Sequence, residues 1–199
     1  MKSFFKSIGA SSSTSTYQAR ADHDDQLLDA ARQTYKRSVL WHGTDLEHLA
    51  SIRKNGFSTR RKNGGATIGA SRTLGQPTDE LTEAARAHNY FTSNRGSAKK
   101  YAKFANPENP VLIRTIGIRN NFDIELDPDS KNEYGEPSPY CCRTEDSIPA
   151  KYVLGSKSSA PSENAKVFKA ELKAEGYKVS TAQAGRLLRE VQSDSDDDF

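Results

Sequence analysis

The sequence has two cysteines, Cys141 and Cys142, and they are adjacent. That spacing suits neither an ordinary disulfide nor a metal site, so a stapled scaffold is excluded and structural zinc is not expected. A reducing compartment fits such cysteine usage. Apolar runs are scarce too: hydrophobic residues make up 34% of the chain and the mean hydropathy is -0.80. No stretch approaches the about 18 apolar residues of a membrane span, so a soluble protein is expected. Neither a Walker pattern nor a spaced Gly-x-Gly-x-x-Gly occurs, which removes the ordinary phosphate cradles. Residues 1–20 contain no acidic residue, and their apolar members Phe4, Phe5 and Ile8 are too few for a secretory signal. At 199 residues the chain has room for one domain with a core, plus tails.

Charge is unevenly spread. Residues 1–122 carry 19 basic against 10 acidic side chains, a balance of +9, and the rest carry 10 against 16, a balance of -6. A basic front half suits nucleic acid, an acidic partner or a phosphate-bearing cofactor, and it also reads as a solvated surface.

The stretch Leu40–Phe57, LWHGTDLEHLASIRKNGF, carries the densest local signals. Val39, Leu40 and Trp41 read as the end of a buried strand, followed by a His42-Gly43-Thr44 turn. Thr44 with Glu47 reads as a capping box, Leu46, Leu49, Ala50 and Ile52 form an apolar face, and Asn55-Gly56 reads as a helix stop. A glycine in that turn lets a ligand approach the backbone, and a histidine there offers a hydrogen bond near the positive helix end.

Along the chain, a helix is expected from Asp24 to about Arg37, with Leu27, Leu28, Ala31 and Tyr35 on one face. A long Gly-rich loop from Ser58 to about Pro77 carries Arg60, Arg61 and Lys62, which suit phosphate or plain solvation. A helix at Thr78–Ala87, a strand at 88–92 and a helix capped by Ser93 or Asn94 come next. Residues 111–118 form the clearest strand, followed by an expected strand at 122–126 and a last pair at 140–144 and 151–154. SKSSAPSEN reads as a linker. Helices near 164–175 and from Ser180, with Ser180-x-x-Gln183 as a second capping box, suit a partner or the domain's own core. The domain boundaries expected are 1–23 for a Ser/Thr-rich leader, 24–155 for the domain, 156–192 for linker and helices, and 193–199 for an acidic tail. The leader is similar to the N-terminal signals of bacterial effectors delivered by contact-dependent secretion; a mitochondrial-type leader and a disordered tail are the alternatives.

LWHGTDLEHLASIRKNGF followed by HNYFTSNRGSAKKYAKF resembles the catalytic domain of the poly(ADP-ribose) polymerase and diphtheria-toxin-like branch of ADP-ribosyltransferases. The likeness covers roughly residues 38–104, with an echo in IPAKYVLG at 148–155. It implies an α+β fold of split antiparallel β-sheets with flanking helices, and NAD as substrate. His42 would bond the adenosine ribose, the Gly43 backbone would pair with the nicotinamide amide, and Thr44 would sit beside them. Tyr90 and Tyr101 would sandwich the nicotinamide ring, and Ser97 would bond its carboxamide, one residue off the family's spacing from Tyr101. Taken singly, His42 also reads as a structural histidine and the tyrosines as core aromatics.

The resemblance fails at the family's third element, a Glu on the strand before the IPAKYVLG segment. Counting back lands on Pro139, Tyr140 and Cys141. Glu136 is the expected substitute, with Glu133 and Glu145 as alternatives, and the rival reading is that the acid is absent. The resemblance therefore implies a mono-ADP-ribosyltransferase acting on a protein or nucleic acid target, a bacterial effector or toxin delivered into a host cell cytoplasm, with a monomer as working state. An RNA 2′-phosphotransferase, whose family shares the His-Gly-Thr strand end, and a catalytically degenerate binding module are the alternatives. The phosphotransferase needs a His-x-His strand, and this chain has His88-Asn89-Tyr90.

Overall fold

The described residues of the computed structural model are 13–59, 87–155 and 161–196. The Arg60, Arg61 and Lys62 loop and the helix expected at Thr78–Ala87, but for Ala87, lie outside them, as do residues 1–12 of the leader. The strands are β1 (Val39–Asp45), β2 (Asn89–Thr92), β3 (Pro110–Ile116), β4 (Glu125–Leu126) and β5 (Cys141–Thr144). They form one antiparallel sheet in the order β3-β1-β2-β5-β4. With five α-helices among the described residues, α1 (Ser13–Ser38), α2 (Leu46–Asn55), α3 (Arg95–Ala105), α4 (Pro161–Ala174) and α5 (Thr181–Asp196), the fold is α+β. No helix among the described residues is long and apolar enough to cross a membrane.

The expected face of α1 is present, with Leu27, Ala31 and Tyr35 buried. The helix begins at Ser13, so Asp24 and Asp25 lie in its interior and its dipole is complemented only by Lys36 and Arg37 in the last turn. β1 is longer than the local pattern suggests. Its seven residues all pair with β3, which draws His42, Gly43 and Thr44 out of the expected turn and into the strand. The cap of α2 moves with them. Asp45 accepts from the His48 amide at 2.9 Å and meets its Nδ1 at 2.6 Å, so no Thr44 capping box forms. The stop is as expected: Gly56, at φ 81°, donates to the Ile52 carbonyl.

Burial alone would raise the Asp45 carboxyl, but the His48 amide and ring outweigh it and hold the group below its ordinary value. A depressed folded-state value means that this contribution is complete above about pH 4 and is lost as pH falls through the folded value. Asp45→Ala is expected to cost about 1 kcal/mol at neutral pH. The gap in melting temperature between it and the parent should narrow below about pH 4, which thermal melts across that range measure.

The 151–154 strand is replaced by a single 3-10 turn at Ala150–Tyr152, after which Leu154 donates to the Arg114 carbonyl at 2.9 Å. Pro149 starts this turn, and only Val153 bridges to β3, at Thr115. Pro161 opens α4 instead of belonging to a linker, because proline at the first helical position forfeits no hydrogen bond. The Ser180–Gln183 capping box forms in both directions, at 2.9 and 3.2 Å. Phe168, Leu172, Leu187, Leu188 and Val191 share one core cluster with Val39, Leu40, Ile116 and Ile118. Of the two C-terminal helices, α4 packs on β3, α1 and the 3-10 turn, and α5 packs on α4 and α1. At the far end of α5, Asp194 of the expected tail pairs with Arg32 at 2.9 Å.

Candidate functional site

The resemblance implies two split sheets, and the observed sheet is continuous but nearly cut in two. β1 meets β3 in seven register pairs and β2 in one, Trp41–Thr92. Gly117 donates to the Ser38 carbonyl, so Ser38, Leu40, His42 and Thr44 turn their main-chain groups toward β3. By alternation Trp41 and Gly43 turn theirs toward β2. A continued ladder would set Gly43 opposite Tyr90, yet no register pair forms past Trp41–Thr92. The ladder stops there, and by alternation the N–H of Gly43 faces the unpaired side toward Tyr90.

His42 closes one side of this wedge. Its Nδ1 lies 2.8 Å from the Tyr90 carbonyl. A carbonyl only accepts, so Nδ1 carries a proton. Phe57 and Phe91 hold the imidazole, with ring centroids at 4.8 and 5.8 Å. Thr44 is buried on the same side, opposite Val111. Gly43 has a different reason to be glycine from the expected one. A Cβ there would lie 2.2 Å from the Ala98 carbonyl oxygen and 2.5 Å from the Ala102 nitrogen, so α3 fills the space over the strand.

The α3 side of the sheet collects the tyrosines. Phe91 points toward His42, so its strand neighbours Tyr90 and Thr92 point the other way. Thr92 meets the Cys141 thiol at 3.7 Å, and the Tyr101 hydroxyl bonds Ser130 at 3.5 Å with Cys141 close by. Tyr101 is 43% exposed, with its hydroxyl turned inward. Arg143, opposite Tyr90 in register, joins the Tyr90 hydroxyl to Glu125. At the end of β4 lies Asp127, 7% exposed, whose amide donates to the Cys141 carbonyl at 3.1 Å.

Asp127 acts on both rings. Burial and then the charge of Asp127 raise the Tyr90 phenol above its ordinary value, against the pull of Arg143. Burial also raises Tyr101, with the Ser130 bond opposing it and Cys141 and Asp127 adding to it. Asp127 itself is raised, first by burial, while the Asp129 amide and the Arg143 charge work the other way. A carboxylate so placed is a better proton acceptor than one in water. Burial pushes the Cys142 thiol up to about 11, which keeps it protonated on the opposite face.

Of the residues expected from sequence, His42, Gly43 and Tyr90 meet at the wedge, and Ser97 and Tyr101 lie one turn apart on α3 beside it. Glu136 is elsewhere: it is exposed and tied within its own hairpin to Asn132, with Glu133 exposed alongside. Glu145 is 79% exposed by side chain and lies 3.5 Å from His88. Glu125 also approaches His88, so this histidine sits among carboxylates, a poor setting for a phosphate. Asp127 and Arg143 escaped the sequence reading. Asp127 stands in an Asp-Pro-Asp turn that looks like solvent-facing chain, and the β4–β5 pairing that ends at Leu126 brings it against Cys141. No protein-family model, curated protein or solved structure matches this chain.

Proposed function

We propose that the protein is an NAD-dependent mono-ADP-ribosyltransferase of the ADP-ribosyltransferase-like fold. The observation that carries this reading is the wedge: a sheet ladder that stops after one pair, with the Gly43 N–H facing the unpaired side and Tyr90 and Tyr101 on the adjoining α3 side. A carboxamide needs paired main-chain donors and acceptors in one plane, which a strand edge supplies, and a flat cationic ring is held by aromatic faces. His42, fixed through Nδ1 at the wedge, is the side chain placed for the adenosine ribose. Fixing the ring and excluding water favour cleavage of the glycosidic bond, because the positive charge that develops on the sugar then meets a preorganised site. The target is a protein or a nucleic acid, and delivery as a bacterial effector into a host cell remains part of the proposal on the strength of the leader.

Incubation with NAD and a target lysate is expected to give a labelled product. Tyr90→Ala should lower labelling by on the order of 100-fold through lost ring positioning, while Tyr90→Phe, which keeps the ring, should stay near the parent. Labelling by Tyr90→Ala equal to the parent sinks the reading. The placement of Glu136 in its own hairpin favours a second one, a module that binds NAD without cleaving it. Calorimetry with NAD together with nicotinamide release separates the two.

A further inference from the structure

We propose that Asp127, and not Glu136, is the carboxylate that completes this site, accepting the proton of the incoming acceptor group as nicotinamide departs. The inference rests on the NAD reading and adds to it the group that the expected third element lacks. Its geometry is specific. The Asp127 amide is fixed to the Cys141 carbonyl at 3.1 Å, which holds the residue on the β5 edge. Cys141 in turn touches Thr92 on β2 and stands beside the Tyr101 hydroxyl. Ser130, three residues after Asp127, takes the Tyr101 hydroxyl bond at 3.5 Å, and its own amide donates to the Asp127 carbonyl. The turn that carries Asp127 is thereby clamped between β5 and α3.

The carboxylate is also held in shape. Its Oδ1 accepts from the Asp129 amide at 3.1 Å, an Asx turn that fixes the side-chain direction. Arg143 lies close enough to stabilise its charge while being tied to Glu125 and to the Tyr90 hydroxyl. Glu133, Glu136 and Glu145 are exposed.

In the reaction the C1′–N bond of NAD breaks and nicotinamide leaves as a neutral molecule with the bonding electron pair. The nucleophilic atom of the acceptor bonds to C1′, and its proton passes to the Asp127 carboxylate and from there to water. With water as acceptor the products are ADP-ribose, nicotinamide and a proton, so the step balances without a further reactant.

The test uses the full chain, NAD and water as acceptor, with NAD affinity read by calorimetry and turnover by nicotinamide release. Asp127→Asn keeps the size and the acceptor for the Asp129 amide. It is expected to bind NAD within about twofold of the parent and to release nicotinamide on the order of 100-fold more slowly, as loss of a general base does. Glu136→Gln should match the parent in both. If circular dichroism shows Asp127→Asn unfolded, Asp127→Ser, which also keeps an acceptor for that amide, replaces it under the same criteria. Release by the variant within about twofold of the parent overturns the role of Asp127 and leaves the NAD reading standing. A parent that binds NAD without releasing nicotinamide overturns it too, in favour of the binding module. A parent that does not bind NAD overturns both.

Discussion

A Gly43→Ala protein is expected to lose about 3 kcal/mol of stability, the upper end of the roughly 1–3 kcal/mol range for overpacking. The reason is what the new methyl group meets. The Ala98 oxygen at 2.2 Å, the Ala102 nitrogen at 2.5 Å and the Ala102 Cα at 3.2 Å are all main chain of α3. A side chain could rotate away, but a helix has to move as a body. Since α3 carries Ser97 and Tyr101, the movement also carries them off the β1 edge. A displacement of about 1 Å costs on the order of 100-fold in a positioned reaction, so NAD turnover should fall with stability. Urea unfolding and nicotinamide release measure the two effects separately. A variant as stable as the parent would show that α3 does not rest on the strand.

Phe168→Ala is expected to cost about 3–5 kcal/mol, the range for emptying a buried aromatic site. Phe168 is fully buried on α4, within the cluster that joins the C-terminal helices to β1 and β3. Total stability of a domain is about 5–15 kcal/mol, so this one change removes a large share of it. The melting temperature should drop by about 2–4 °C for each kcal/mol. Lys173→Ala, at an exposed position of the same helix, should stay within about 0.5 kcal/mol of the parent. Comparing the two melts tests whether the C-terminal helices belong to the core. Equal melts would mean that α4 and the sheet are separate units.

Where the chain specifies itself locally, the elements were legible. The Ser180 capping box, the Asn94 cap whose Oδ1 accepts from the Ser97 amide, and the Gly56 stop each depend on residues within a few positions. The heart of the site was less so, because distant chain decides it. Gly43 reads as a turn residue, and it lies in a strand because β3 pairs with it along Leu112 and α3 packs over it. The stretch at 151–154 has strand-like composition, but Pro149 sets up a turn and leaves room for one bridge to β3. His42, Gly43 and Tyr90 could be named from their types and order. Their shared wedge arises from a register that breaks, which no spacing within either strand encodes. Asp127 was invisible for the same reason, since the β4–β5 pairing, and not its own neighbours, brings it against Cys141.

Trp41 is the one tryptophan in the chain, and it occupies the single pair that joins β1 to β2. The guanidinium groups of Arg95 and Arg114 lie over its ring at 5.3 and 5.9 Å. Arg95 is the first residue of α3 and Arg114 belongs to β3, so three elements meet on one indole. The intrinsic fluorescence of the protein is therefore a local optical signal, reporting the polarity and quenching at the junction of the two half-sheets. With excitation at the red edge of the indole band, where the eight tyrosines do not absorb, a change in emission during titration or unfolding dates the opening of that joint.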